Sequence, residues 1–309
     1  MTTPEPSDLL LLGHSHGVAL LDGISSWRER GKVSASGGDT RFGAAFQGWF
    51  NGAVSADPFE AEVIDDQLPF TRMQAWLISS GSGIGELARL ERRQGADTLL
   101  IHQKLSATLG AWNGPMPIVS MLNGNEHAQV LLNRLPPYDF IDADSPGVQP
   151  GVPVIDGAFI DQAIAGWVNA VWPALLAVRR MATNPLIHVL PPPPREHPER
   201  SSHFEVMDKL ESAFGFLPGP MRLKWYRRYC RHLNAQLSGL GVQVLAAPAE
   251  ACTPEGLLKA EFAEGLTHGN AAYGRLVAKQ LCALLEAALN APGRSQALIP
   301  QRAARRVAQ

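Results

Sequence analysis

Gly13-His14-Ser15-His16-Gly17 puts a hydroxyl between two imidazoles, directly behind the four leucines Leu9 to Leu12. A short run of large apolar residues ended by glycine reads as a strand buried on both faces. Behind the turn, Val18, Leu21 and Ile24, with Leu20 and Trp27 beside them, fit one helical face, so a helix is expected from Val18 to about Arg30. Ser15 therefore sits on a strand-to-helix turn, where free backbone N–H groups are available. Such a turn can present a nucleophile whose developing anion meets those donors.

A serine nucleophile needs a base, a group that fixes the base's tautomer, and oxyanion donors. His268 lies in a loop ahead of a helix, in Glu264-Gly265-Leu266-Thr267-His268-Gly269-Asn270, and can supply the base. Glu264 or Glu261 can orient it. The N–H of Ser15, the N–H of Gly38 and the side-chain amide of Asn125 are candidate oxyanion donors. Each residue also has a plainer reading. Ser15 can be a helix N-cap, His268 a histidine packed at a helix start, and Asn125 a turn residue in Asn123-Gly124-Asn125. Glu261 to Glu264 can be a solvated turn.

His14 and His16 raise a different chemistry. His-x-His behind a first strand can hold a divalent ion, with His127 and His188 as further ligands. Against it stand the small number of clear strands and the lack of an evident carboxylate ligand after the last one. The same site could also pass an acyl group to an alcohol instead of water, as an O-acyltransferase. A catalytically dead site would leave a purely structural role.

These residues must be positioned by elements, and the hydrophobic pattern supplies them. Strands are expected at Leu9–Leu12, Pro117–Leu122, Leu186–Leu190 and Gly241–Ala246, with weaker candidates at Lys32–Ala35, Ala61–Ile64 and Thr98–His102. Helices are expected at Glu86–Arg93, at Phe159–Arg180 with a kink at Pro173, and at Asn270–Leu289. Leu210–Leu237 reads as helix in two pieces, broken at Pro218-Gly219-Pro220. Pro136–Pro153 reads as a long surface loop. Within Leu210–Leu237, Arg222 to His232 alternates cations with aromatics. The expectation is an amphipathic helix with Leu223, Tyr226, Tyr229 and Leu233 facing the core and the cations facing water, rather than a nucleic-acid groove. Apolar strands alternating with helices argue for a parallel sheet covered on both faces. In such folds ligands bind outside the carboxyl ends of the strands, where the polar clusters of this chain fall.

The chain has 309 residues, 45% hydrophobic and 18% charged, which fits one globular domain and excludes a disordered chain. One domain is expected over residues 1–292, with a pocket-shaping insertion around 50–115 and a flexible tail at 293–309. The net charge of -2 gives no reason to expect nucleic acid as a partner. Three scattered cysteines, no basic leader and no long apolar run point to a cytoplasmic protein without a membrane span.

The order of these blocks resembles the SGNH (GDSL-like) hydrolases. That family has a serine after the first strand, a glycine after the second, an asparagine after the third and a histidine after the last, usually in Asp-x-x-His. Here Gly13-His14-Ser15-His16 stands for Gly-Asp-Ser, and Asn123-Gly124-Asn125-Glu126-His127 for Gly-x-Asn-Asp. Thr267-His268-Gly269-Asn270, the following Tyr273-Gly274, and the prolines Pro191 to Pro194 also resemble the family. The sequence departs from it at Gly265, where the aspartate is expected; Glu264 stands one residue earlier. A backbone carbonyl orienting His268 would leave a Ser–His dyad. The second-block glycine is Gly38, with Gly37 and the stretch Gly81–Gly85 as alternatives. The resemblance implies a three-layer α/β/α sandwich of the flavodoxin-like SGNH type, with about five parallel strands. It implies a serine esterase acting on a small ester, such as an O-acetylated carbohydrate or a short acyl ester. Ser15, His268 and Glu264 would be catalytic, Ser15, Gly38 and Asn125 would form the oxyanion hole, and no metal or cofactor is called for.

Overall fold

The computed structural model describes residues 9–13, 15–25, 59–63, 72–77, 87–93, 95–112, 117–123, 138–145, 147–198 and 216–290. The expected strand at Lys32–Ala35, the glycines Gly37, Gly38 and Gly81 to Gly85, and His14, Asn125 and His127 lie outside the described residues.

Leu9 to Leu12 have no room for water on either side, and each is fully buried in strand β1, Leu9–Gly13. It stands inside a six-stranded sheet with β2 (Phe59–Glu62), β3 (Arg72–Leu77), β6 (Ile118–Met121), β9 (Leu186–Val189) and β10 (Gln243–Leu245). The order is β10-β9-β6-β1-β3-β2. Every neighbouring pair is parallel except β2 with β3. Counted along the chain, the five parallel strands therefore stand in the order 2-1-3-4-5, the flavodoxin-like arrangement. Its order reverses between β1 and β6, and the crevice above that point is where ligands of such sheets bind.

The alternation of side chains along β1 sends Leu9 and Leu11 to one face and Leu10 and Leu12 to the other. The first pair packs with α1 (Gly17–Ile24) and α5 (Ala271–Asn290). The second packs with α2 (Gln103–Ala111), α3 (Gly157–Met181) and α4 (Gly219–Ser238). The result is the expected three-layer α/β/α sandwich.

Several local expectations give way. The stretch Glu86–Arg93 is built from helix formers, yet residues 88–93 form β4, paired antiparallel with β5 (Ala96–Ile101) in a hairpin outside the main sheet. Pairing to a partner strand overrides the weak local propensity. The segment 50–115, read as an insertion, contributes β2 and β3 to the main sheet, with β3 directly beside β1. Pro136–Pro153 is not a plain surface loop, because Asp139, Phe140 and Asp142 are buried. It carries β7 (Asp139–Phe140), which pairs with β8 (Val154–Ile155).

The basic helix is half as expected. Leu223, Tyr226, Tyr229 and Leu233 are buried, but so are Arg222 and Lys224. Lys224 bonds the Asp139 carboxylate at 2.7 Å and the carbonyls of Phe140 and Gly147. Arg222 donates to the carbonyls of Leu217, Arg195 and Glu196. Arg228 pairs with Asp161, and Arg231 with Asp142 and Asp144. Arg222 and Lys224 are thus engaged inside the molecule instead of facing water, while Arg228 and Arg231 form ion pairs nearer the surface. No described helix is long and apolar enough to cross a membrane.

Candidate functional site

β1 ends at Gly13, and Ser15 and His16 form the turn into α1. Both are almost fully enclosed, Ser15 at 2% and His16 at 1% exposure. The carbonyl of Ser15 accepts the first bond of the helix, from Val18 N–H at 3.3 Å. The N-cap is His16, whose side chain makes no capping bond. Because His16 already has helical φ and ψ, Ser15, whose carbonyl accepts that first bond, stands where a capping residue stands, and the capping and nucleophile readings share one position. The positive end of the α1 dipole lies at this turn.

His268 arrives from the far end of the sequence on a small hairpin. β11 (Ala263–Glu264) pairs antiparallel with β12 (His268–Gly269), and Glu264 stands directly opposite His268. Directly opposed residues project to the same face with Cβ atoms about 5 Å apart. The turn between them needs a left-handed residue, supplied by Gly265 at φ 58°. Two bonds pin the hairpin. Arg195 donates to the Gly265 carbonyl at 2.7 Å. The Asn270 amide donates to the Glu261 carbonyl at 2.7 Å, while its oxygen caps α5 by accepting from Ala272 and Tyr273.

The two ends meet at the imidazoles. The rings of His16 and His268 lie 4.6 Å apart, centroid to centroid, tilted by 33°. Helices α1 and α5, which follow the two turns, are locked together below them. A Cβ on Gly274 would fall 1.8 Å from the Ala19 carbonyl oxygen, so only glycine lets the backbones come this close. Gly23 has the same relation in reverse: its Cβ would fall 2.7 Å from the Arg275 nitrogen.

The carboxylate expected behind His268 has an unexpected companion. Nδ1 of His268 meets the Thr267 hydroxyl at 3.0 Å. The sequence reading passed over Thr267. Its signal was a hydroxyl beside the histidine in a chain where Gly265 stands in place of the usual aspartate. Glu264 is opposite His268 in the ladder and Glu261 offers its carbonyl to Asn270.

At the end of β6 a second polar cluster is completely buried. His188 Nδ1 meets Ser120 Oγ at 3.2 Å, and its Nε2 meets Asn123 Oδ1 at 3.0 Å. The Asn123 amide donates to the Val189 carbonyl at 2.6 Å. Burial pushes the His188 imidazole down to about 3, so it is neutral. With both nitrogens engaged in these bonds, His188 is not offered to a metal, which removes one ligand of the alternative reading. No group of three or more metal-binding side chains occurs among the described residues.

No family model matches this chain, and no curated protein matches it. Among solved structures, the chain is similar to a protein from Agrobacterium tumefaciens str. C58 provisionally assigned as an arylesterase. The two share 14% identity over 90% of this chain and 97% of that one, with a TM-score of 0.36. It is also similar to Est24, a carbohydrate acetylesterase from Sinorhizobium meliloti, at 11% identity over 90% of this chain and 98% of that one, with a TM-score of 0.35. Likeness at this level carries no argument about activity, and the residues of the site stand on their own.

Proposed function

We propose that the chain is a serine hydrolase of the SGNH type that cleaves a carboxylic ester through an acyl-enzyme. One observation carries the reading: the ring of His16, the neighbour of Ser15, lies against the ring of His268. The turn that carries Ser15 and the hairpin that carries His268 touch through these two rings, beside the carboxyl end of β1, which supports pairing the two residues in one mechanism.

In this mechanism Ser15 Oγ attacks the ester carbonyl and His268 takes its proton at Nε2. For that, Nδ1 must carry the ring's own proton. The Thr267 hydroxyl, 3.0 Å away, is in place to accept a hydrogen bond from that N–H. The Glu264 carboxylate, opposite His268 in the ladder, favours the imidazolium that forms. The N–H of Ser15, with Gly38 and Asn125 carried over from the sequence, would hold the oxyanion. Collapse of the tetrahedral intermediate expels the alcohol, which takes the proton from His268. Water then attacks the acyl-serine with His268 as base.

The test is Ser15→Ala on a short p-nitrophenyl ester. Turnover should fall by about three decades or more, the scale on which a triad nucleophile is lost. A fluorophosphonate should label the wild type and not the variant. Activity unchanged in Ser15→Ala would sink the mechanism. Thr267→Val and Glu264→Ala separate the two orienting groups, since the one that holds Nδ1 should cost more in kcat.

A further inference from the structure

We propose that His16 is a positioning residue, whose ring face holds the His268 imidazole in the plane that proton transfer requires. The inference rests on the serine-hydrolase reading and adds a further side chain to it.

An imidazole at the end of a two-residue strand has two side-chain torsions to settle. The Thr267 hydroxyl bonds Nδ1 and so holds one edge of the ring. A contact on the ring face restrains the ring in a direction that an in-plane hydrogen bond does not. His16 provides it at 4.6 Å and 33°, within the distances at which aromatic rings pack favourably. His16 is itself well placed to act as a fixed wall. It is 1% exposed and occupies the N-cap of α1 with helical φ and ψ of -67° and -25°. Its side chain is not drawn into capping the helix. The helix below it is clamped to α5 where Gly274 meets Ala19. A wall built on the same turn as Ser15 also keeps base and nucleophile in register with each other. The short separation tolerated in proton transfer makes this matter, because displacements of about 1 Å can cost about a hundredfold in rate.

Flat shape is what this role needs from His16, and ring nitrogens are not. The test compares His16→Ala with His16→Phe. Turnover of a p-nitrophenyl ester and the rate of fluorophosphonate labelling are read beside 15N NMR of the His268 ring. Thermal melts confirm that both variants fold. His16→Ala should lower kcat by about ten- to a hundredfold with KM little changed. Its His268 nitrogens should shift from one defined tautomer toward the averaged positions of a mobile ring. His16→Phe should recover most of the kcat loss and restore the single tautomer. Wild-type kcat and unchanged His268 signals in His16→Ala would overturn the proposal. So would a folded His16→Phe as impaired as His16→Ala, which would assign the effect to a nitrogen. If Ser15→Ala retained full activity the hydrolase reading would fall, and the His268 signals would still decide whether His16 fixes that ring.

Discussion

On one face of the sheet α1 and α5 touch backbone to backbone, at Gly274 against Ala19, with apolar side chains all around. On the other face α4 reaches its neighbours through Arg222, Lys224, Arg228 and Arg231, which end on carbonyls and carboxylates. The first joint has no atoms to spare and no side chain that can adjust. It carries the turns of Ser15 and His268. The second joint is made of long side chains that tie down β7, the following loop and the segment after β9. A desolvated cation costs several kcal/mol unless it is fully bonded, so such ties select one arrangement of the loops more than they add stability. Stiffness is found where the Ser15 turn and the His268 hairpin are carried, and polar latching where irregular chain has to be held.

Lys224→Met attacks the latch where it is deepest. Burial pushes the Asp139 carboxyl up, but Lys224 and the N–H groups of Gln149 and Phe140 outweigh it and hold Asp139 below the usual range. Removing Lys224 leaves that charge buried and unpaired, at a cost of about 3–5 kcal/mol by urea unfolding. A double variant that also carries Asp139→Asn should recover part of the loss. In both, the folded fraction should keep its kcat.

Gly274→Ala attacks the stiff joint instead. It should cost about 3 kcal/mol, the upper end of ordinary overpacking, because the clash is with backbone. Here kcat should fall as well. A destabilised Gly274→Ala with full kcat per folded molecule would erase the functional contrast between the two faces.

His188 gives a smaller effect with a definite sign. Its folded value of about 3 lies below the 6.5 of an ordinary histidine. Below pH 6.5 the unfolded chain takes up a proton that the folded chain refuses, so stability falls with pH. About 2 kcal/mol should be lost between pH 6.5 and 5. In His188→Asn this part of the slope should vanish, and a slope that persisted would assign it to other groups.

The weakest effect belongs to the half-exposed latch of Arg228 and Asp161. The Arg228 guanidinium, against the cost of burial and with help from His232, holds Asp161 down to about 2. Its contribution is present above pH 4 and disappears as pH falls toward 2. Solvent screening limits it, so Arg228→Met should cost about 1 kcal/mol or less and show a salt dependence.

The strands β1, β6, β9 and β10 were legible in the sequence because continuous apolar runs bounded by polar or proline residues leave little else for the chain to do. β3 was not, since Arg72 and Gln74 interrupt Met73, Ala75, Trp76 and Leu77 and hide a strand that borders β1. The helical reading of Glu86–Arg93 followed local propensity, which cannot see the β5 partner. The periodicity of α4 correctly named its core positions. It could not tell that loops from residues 138–149 and 191–196 would cover Arg222 and Lys224, because burial by distant chain leaves no local trace. The turn of Ser15 and the loop of His268 stood out through their placement at strand and loop ends. The Thr267 contact with His268 was overlooked because a hydroxyl beside a histidine has no pattern of its own. Gly38 and Asn125 stay with the sequence reading, outside the described residues.

The joint of α1 with α5 also sets an order of events during synthesis. α1 ends at residue 24 and α5 begins at residue 271, so the first helix must wait for nearly all the chain between them before its partner exists. Contacts of such long sequence separation close late in folding. A nascent chain therefore carries the serine turn without the histidine hairpin until the chain between them has been made. If the hydrolase reading holds, the enzyme is inert on the ribosome and becomes competent only when the closing helix docks.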